Sequence, residues 1–113
     1  MNIKKEIRPW GSFRQFTHNE ISTVKIISVK PRARLSLQYH EQRDEFWVVL
    51  EGNPTVTFGE ESREAFPGDE FFISKKTKHR IQGSEKEARI LEISFGNFDE
   101  NDIVRMEDDF GRA

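Results

Sequence analysis

The chain has 113 residues, no cysteine and a formal net charge of -2 at pH 7. These values exclude a disulfide framework and a thiolate metal site, and nothing in them indicates a nucleic acid partner. No apolar run is long enough to span a membrane, and residues 1–6 lack the apolar stretch of a signal peptide. We therefore expect one soluble, cytoplasmic domain over residues 1–113.

Short segments rich in β-branched and aromatic residues recur along the chain, separated by turn residues. The predicted strands, in order, are residues 13–16, 22–30, 34–40, 45–50, 55–58, 70–73, 79–82 and 88–95. Residues 1–12 are expected to be irregular, and the tail, 99–112, forms either a short helix or an extended arm. Regular turn spacing without a sustained helical period favours an antiparallel all-β sandwich or barrel.

Four polar side chains stand at positions where this pattern can bring them together. Gln38 and His40 share one face of a strand, and Glu45 opens the strand that returns after the polar turn. His79 begins a later strand and can approach from another hairpin. Two imidazoles, a carboxylate and an amide oxygen suit a borderline divalent metal. Gln38 is the weakest ligand, and its alternative role is to orient a water or a sugar hydroxyl.

If these ligands face inward, the same strands turn an apolar stripe outward. The stripe comprises Leu35, Leu37, Tyr39, Phe46, Val48 and Leu50. An exposed apolar surface of this size is expected to be covered, either by the chain's own termini or by a partner. We favour a homodimer, because symmetric pairs are the commonest closed assemblies.

The ligand spacing resembles two cupin motifs. Gln38-x-His40, four residues, Glu45, six residues and Gly52 resemble the first motif, with Gln38 where many cupins have histidine. Gly68, ten residues and His79 resemble the second. More specifically, the chain resembles the C-terminal cupin domain of type II mannose-6-phosphate isomerases. The matching segments, spread over the whole chain, are residues 8–13, 35–38, 43 with 45 and 47–49, 77–80, 102–105 and 108–112.

The resemblance implies a jelly-roll β-barrel with N- and C-terminal arms. It also implies metal-dependent conversion of mannose 6-phosphate to fructose 6-phosphate through a cis-enediolate. Zinc is the favoured metal, with iron, manganese, cobalt and nickel as alternatives. In bifunctional members a guanylyltransferase domain precedes the cupin domain, and no nucleotide transfer is expected from these 113 residues.

Three departures from the family pattern alter the surroundings of this predicted site. His40 is followed by Glu41 and Gln42 where the family has a run of three histidines. The family's Pro and Gly before the second-motif histidine are replaced by Ser74 and Lys76, and its Gly after Pro31 is replaced by Arg32. The rim of the predicted metal site therefore differs from the family pattern, whereas the predicted metal ligands are retained.

Three basic residues are candidates for substrate contact. Arg43 matches a residue that the family retains in connection with isomerase activity, and its planar donors suit phosphate or an enediolate oxygen. Lys78, in a basic run before His79, belongs either to a phosphate grip or to a solvated loop. Arg112 is either a second cation at the site or part of a frayed terminus. Candidates for the general base are Glu41, Lys78 and a metal-bound hydroxide.

Two other functions remain open because cupins support many chemistries. One is a non-catalytic cupin that binds a sugar phosphate. The other is an isomerase or epimerase of a different sugar in polysaccharide biosynthesis.

Overall fold

The computed structural model describes residues 3–113; Met1 and Asn2, part of the segment without signal-peptide character, lie outside the described residues. The strands of the described chain are β1 Lys4–Arg8, β2 Gly11–Gln15, β3 Ser22–Val29, β4 Leu37–Tyr39, β5 Glu45–Glu51, β6 Thr55–Phe58, β7 Glu61–Glu64, β8 Glu70–Ile73, β9 His79–Gln82, β10 Ala88–Phe95 and β11 Val104–Glu107. Residues 3–113 contain no helix, so none that could cross a membrane is found there. The tail pairs as a strand, which decides between the two predictions made for it.

The strands form two antiparallel sheets in a jelly-roll-like arrangement, together with a separate hairpin. One sheet has the order β3-β10-β5-β8, and the other has the order β11-β4-β9-β6-β7. β1 and β2 pair only with each other. As a result, β5 and β9, which carry Glu45 and His79, are inner strands of opposite sheets. The predicted all-β class is confirmed.

The core lies between the inner faces of the two sheets. Trp47, Val49 and Ile90 from one sheet pack in the same buried cluster as Val56 and Ile81 from the other. Burying a side chain of this size stabilises the fold by about 1.5–3 kcal/mol. The apolar core continues directly into the polar cluster, because Trp47 packs edge-on against the ring of His79, with 5.3 Å between ring centroids.

The turn after β5 depends on Gly52. Its φ is +83°, in the left-handed region that favours glycine. A Cβ atom at this position would lie 2.6 Å from the backbone oxygen of Glu87. The glycine of the first motif therefore permits close approach between the end of β5 and the loop before β10.

The predicted outer stripe is only partly correct. Phe46 does point away from the core, but it is covered by the chain's own Phe16, whose ring centroid lies 5.4 Å away. Leu35 packs against the core instead. It precedes β4, which begins at Leu37, so the strand alternation on which the prediction depended does not apply to it.

Candidate metal centre and cavity

Three side chains from distant parts of the chain meet between the two sheets. His40 follows β4, Glu45 begins β5 and His79 begins β9. Nε2 of His40 lies 3.5 Å from Oε2 of Glu45, and Nε2 of His79 lies 3.8 Å from Oε1 of the same carboxylate. All three residues are buried, and their ligand atoms lie within 4.8 Å of one another. One ion can therefore contact all three.

The second nitrogen of each histidine is held by a backbone carbonyl. Nδ1 of His40 lies 2.7 Å from the oxygen of Asp102, and Nδ1 of His79 lies 2.9 Å from the oxygen of Thr77. Because a carbonyl can only accept, each Nδ1 carries the proton and each Nε2 keeps a lone pair. Burial lowers the pKa of both imidazoles, which favours the neutral form that binds metals.

The residues present fit a divalent metal. Nε2 of His79 is buried and has no hydrogen-bond partner among the described residues. A buried acceptor without a partner is unfavourable, and a cation beside it removes that penalty. Two imidazoles and a carboxylate are ligands that zinc and related ions accept. The cluster is thus a candidate site for a divalent ion of the kind the sequence predicts.

Gln38 lies next to the cluster. Its Cα is paired with that of His79 across β4 and β9, and directly paired residues place their side chains on the same face. Its Oε1 accepts a hydrogen bond of 3.0 Å from Ser36, which uses one of two lone pairs. Either predicted role, ligand or orienting group, is compatible with this position.

Two loops hold His40 in place. The carboxylate of Asp102 accepts hydrogen bonds from the amides of Glu41 and Gln42, at 2.8 and 3.0 Å. Burial opposes ionisation of Asp102, but these amides outweigh it and lower its pKa. The amide of Lys76 donates to the carbonyl of His40 at 2.6 Å. The turn before β9 is therefore tied to the residue that follows β4.

Arg43 connects the cluster to the segment 97–103. Its Nε donates to Oε2 of Glu45 at 2.9 Å, and its Nη2 lies 3.2 Å from Nε2 of His40. Nη1 donates to the carbonyl of Asp99 at 3.2 Å, and the guanidinium carbon lies 4.3 Å from the ring centroid of Phe98. Arg43 therefore lies beside the cluster and is fixed by four groups.

A cavity of about 640 Å³ opens beside the cluster, bordered by the segment 97–103. This volume is in the range of small-molecule sites, about 300–1,000 Å³. Its polar lining includes Gln38, His40 and Arg43, which the sequence predicted, and Lys25, Glu92 and Arg105, which it did not. Two of the metal candidates, Gln38 and His40, and side chains of both charges thus face one space.

Glu92 is a buried carboxylate that sequence reasoning missed. It lies on β10, is buried and lines the cavity. Burial raises the pKa of Glu92 to about 7, and the charge of Glu45 adds to the effect. A signal was present: the face of β10 that carries Glu92 reads Ala88, Ile90, Glu92 and Ser94, so polar residues replace apolar ones at the cavity end.

The structure places Lys78 and Arg112 outside this cavity. Nζ of Lys78 lies 2.9 Å from Oε1 of Glu60, beside a shallower depression on the sheet's other face. Neighbouring residues in an extended chain point to opposite faces. Because the side chain of His79 points into the sandwich, that of Lys78 points outward. Nε of Arg112 donates to Oδ2 of Asp108 at 2.7 Å, and this hydrogen bond lowers the pKa of Asp108.

The family model described as "Mannose-6-phosphate isomerase C-terminal" matches residues 1–108. The chain belongs to this family. The resemblance seen in the sequence motifs is thereby confirmed, and the family's name relates the chain to an isomerase.

Two curated relatives are biosynthetic proteins. The chain is 38% identical over 112 residues to the xanthan biosynthesis protein XanB of Xanthomonas campestris pv. campestris, covering 97% of this chain and 24% of the relative. It is 37% identical over 108 residues to the alginate biosynthesis protein AlgA of Pseudomonas aeruginosa, covering 94% and 22%. The chain therefore spans about a quarter of the length of the curated relatives it matches.

A solved structure supports the fold. A cupin protein from Bacteroides fragilis superposes with a TM-score of 0.61 over 69% of this chain and 70% of that chain, at 23% identity. The predicted cupin jelly roll is confirmed at the level of architecture.

Proposed function

We propose that this chain is a metal-dependent aldose–ketose isomerase that interconverts mannose 6-phosphate and fructose 6-phosphate. The observation that supports it most is the buried cluster of His40, Glu45 and His79 beside a charged cavity, in a member of this family. Zinc is the favoured ion, and iron, manganese, cobalt and nickel suit the same donors. When bound, the ion supplies positive charge that stabilises negative charge developing on substrate oxygens.

Arg43 is positioned to orient the substrate. In the structure its Nη2 lies against the lone pair of His40 Nε2. That lone pair cannot serve both an ion and a guanidinium, so Nη2 would be available to a substrate oxygen when His40 holds an ion. Its other donors remain bonded to Glu45 and Asp99, which keeps the guanidinium oriented.

Glu92 is the residue we assign to proton transfer. Its Oε atoms take the proton from C2 of mannose 6-phosphate and return it to C1, while the O2 hydroxyl proton passes to O1. One carboxylate suffices, because both carbons of a cis-enediolate present the same face. Glu41 is exposed, and Lys78 points away from the cavity, so neither is as well placed. The pKa of Glu92, raised by burial, lies where a general base works well.

Phe98 shields the site from water on the side of the segment 97–103. Its ring lies between two cations, with Nζ of Lys25 4.0 Å and the guanidinium carbon of Arg43 4.3 Å from the centroid. Cation–π contacts of this kind are worth about 0.5–2 kcal/mol. The ring therefore stays over the cavity and strengthens the electrostatic interactions inside it.

The test is a coupled assay with mannose 6-phosphate after loading with zinc, cobalt, manganese or iron. We expect turnover and one bound ion per chain, both abolished by His79→Ala. His18→Ala is the matched control, because His18 is an exposed histidine outside the cluster. Metal binding without turnover of mannose 6-phosphate by any loaded form contradicts the isomerase and supports a sugar-phosphate binder.

A further inference from the structure

Two cations face the cavity from opposite sheets. Lys25 lies on β3, an edge strand of the four-stranded sheet, and Arg105 lies on β11, an edge strand of the five-stranded sheet. Both line the same cavity. Because both strands are edges, these side chains stand on the open side of the sandwich, whereas Glu45 and His79 lie on inner strands.

The register fixes where Arg105 stands relative to the metal candidates. Its Cα is paired with that of Gln38, and the Cα of Gln38 is paired with that of His79. The three side chains therefore form a row on one face of the sheet. Two strand spacings of about 4.8 Å place Arg105 about 10 Å from His79. A ligand that extends from the cluster to Arg105 must carry its anionic group away from the end that reacts.

Arg105 also has unsatisfied hydrogen-bonding capacity. Its Nε is buried and has no hydrogen-bond partner among residues 3–113. In contrast, Arg34 and Arg80 are bonded to Asp109 and Glu107. A buried N–H without an acceptor is unfavourable, and an anion supplies the missing acceptor. The planar guanidinium matches phosphate oxygens in a bidentate geometry.

We propose that Arg105, assisted by Lys25, binds the phosphate group of the substrate. Naming the ligand a hexose 6-phosphate rests on the proposed function, because its C6 phosphate lies at the opposite end of the carbon chain from C1 and C2. Glu92 and Glu100 also line the cavity, so these cations are needed to make its outer part favourable for an anion. Arg43, bonded to Glu45, is left to the reacting end.

The test compares Arg105→Gln with Arg105→Lys, and Arg32→Gln serves as the matched control. Arg32 is an exposed arginine paired with Glu85 and does not line the cavity. Calorimetry measures binding of mannose 6-phosphate, mannose and inorganic phosphate to the full chain. For Arg105→Gln we expect Kd for mannose 6-phosphate to rise about tenfold or more, with mannose unaffected. Arg105→Lys retains the charge without the bidentate guanidinium. Its Kd for mannose 6-phosphate is expected to lie between those of the unmodified chain and Arg105→Gln.

Kinetics and folding separate the outcomes. Arg105→Gln is expected to raise KM by a similar factor and to change kcat little, because phosphate binding acts equally on substrate and transition state. If Arg105→Gln fails to fold, Lys25→Gln replaces it, because Lys25 is exposed. This variant is also expected to raise Kd and KM for mannose 6-phosphate. Unchanged affinity for mannose 6-phosphate in Arg105→Gln and Lys25→Gln overturns the phosphate site. Loss of phosphate binding in these variants, with no turnover by the unmodified chain, overturns the isomerase and leaves the site intact.

Discussion

The carboxylates of Glu45 and Glu92 share the hydroxyl of Ser94, whose Oγ lies 3.4 Å from an oxygen of each. A hydroxyl has one proton, so it can donate to only one of them at a time. Two buried carboxylates are therefore coupled through one residue. Glu45 also receives the guanidinium of Arg43 at 2.9 Å, and Glu92 is left as the less stabilised anion.

Glu92 is expected to make stability fall as the pH rises. Burial raises its pKa to about 7 from the ordinary 4.5, so within this window the folded chain keeps a proton that the unfolded chain has lost. The resulting stabilisation is complete below the pKa of Glu92 in the unfolded chain. It is lost as the pH rises through the pKa in the folded chain, and the free energy of unfolding then falls by on the order of 3 kcal/mol. Glu92→Gln cannot titrate and should lack this fall. Urea denaturation at a series of pH values, with a chelator present, measures the free energy of unfolding of both proteins. If this free energy changes with pH in the same way in both, the role of Glu92 is contradicted.

Asp102 is expected to stabilise both the turn and the metal site. Asp102→Ala removes two hydrogen bonds to backbone amides, each worth about 1 kcal/mol, so the free energy of unfolding should fall by about 2 kcal/mol. Since the same residue's carbonyl orients His40, affinity for a divalent ion should fall about tenfold. Asp102→Asn keeps one acceptor oxygen, so its free energy of unfolding should fall by about half as much. Calorimetry of zinc binding and chemical denaturation measure these effects, and an unchanged metal affinity in Asp102→Ala contradicts the positioning role.

Lys76→Gly is expected to stabilise the chain. Lys76 and Arg32 have φ values of +68° and +63°, and both stand where the family pattern has glycine. A side chain in the left-handed region is strained, and removing it should gain about 1 kcal/mol after allowing for the greater entropy of the unfolded glycine. Lys75→Gly is the control, because Lys75 is exposed and its φ is not positive. Equal free energies of unfolding for the two variants would argue against strain at Lys76.

Lys78 and Arg43 were both candidates for substrate contact, and the structure leads us to expect different effects from their removal. Lys78→Ala breaks only a partly exposed ion pair with Glu60 and should leave KM within about twofold. Arg43→Ala removes a buried guanidinium bonded to Glu45 and should lower kcat about 100-fold. Steady-state kinetics with mannose 6-phosphate compares them. A large rise in KM for Lys78→Ala would restore the phosphate grip predicted from the sequence.

The homodimer stays a prediction, and the outer face of β3 offers a test. Val24 and Ile26 are 58% and 52% exposed on an edge strand, and apolar edges of this kind favour pairing. If a second copy covers them, Ile26→Lys should convert the dimer to a monomer without changing the fold. Sedimentation measures the mass, and circular dichroism checks the fold. A monomeric unmodified chain would remove the basis for this assembly.

The strands with one apolar face were predictable from sequence. The bounds predicted for β6, β8, β9 and β10 are those observed, because alternation and flanking turn residues define both ends. β1 and β7 were missed. Their residues are largely polar and exposed, so hairpin pairing, which leaves no apolar signature, specifies them.

The same distinction applies to the site. His40, Glu45 and His79 were predictable because their residue types and spacing are informative even when their positions in space are unknown. Lys25 and Glu92 come from strands with no motif of their own, and Arg105 ends a matching segment, 102–105, to which no role was assigned. They reach the cavity through pairing partners distant in sequence, and such pairing cannot be read from local pattern.

Glu45 and His79 belong to different sheets, and the candidate centre joins them. Any ion coordinated by both would act as a cross-link between the layers of the sandwich. Opening of one layer would then require release of the ion. Amide hydrogen exchange in β5 and β9 should therefore slow together on metal addition, and the centre would serve as a folding constraint as well as a chemical one.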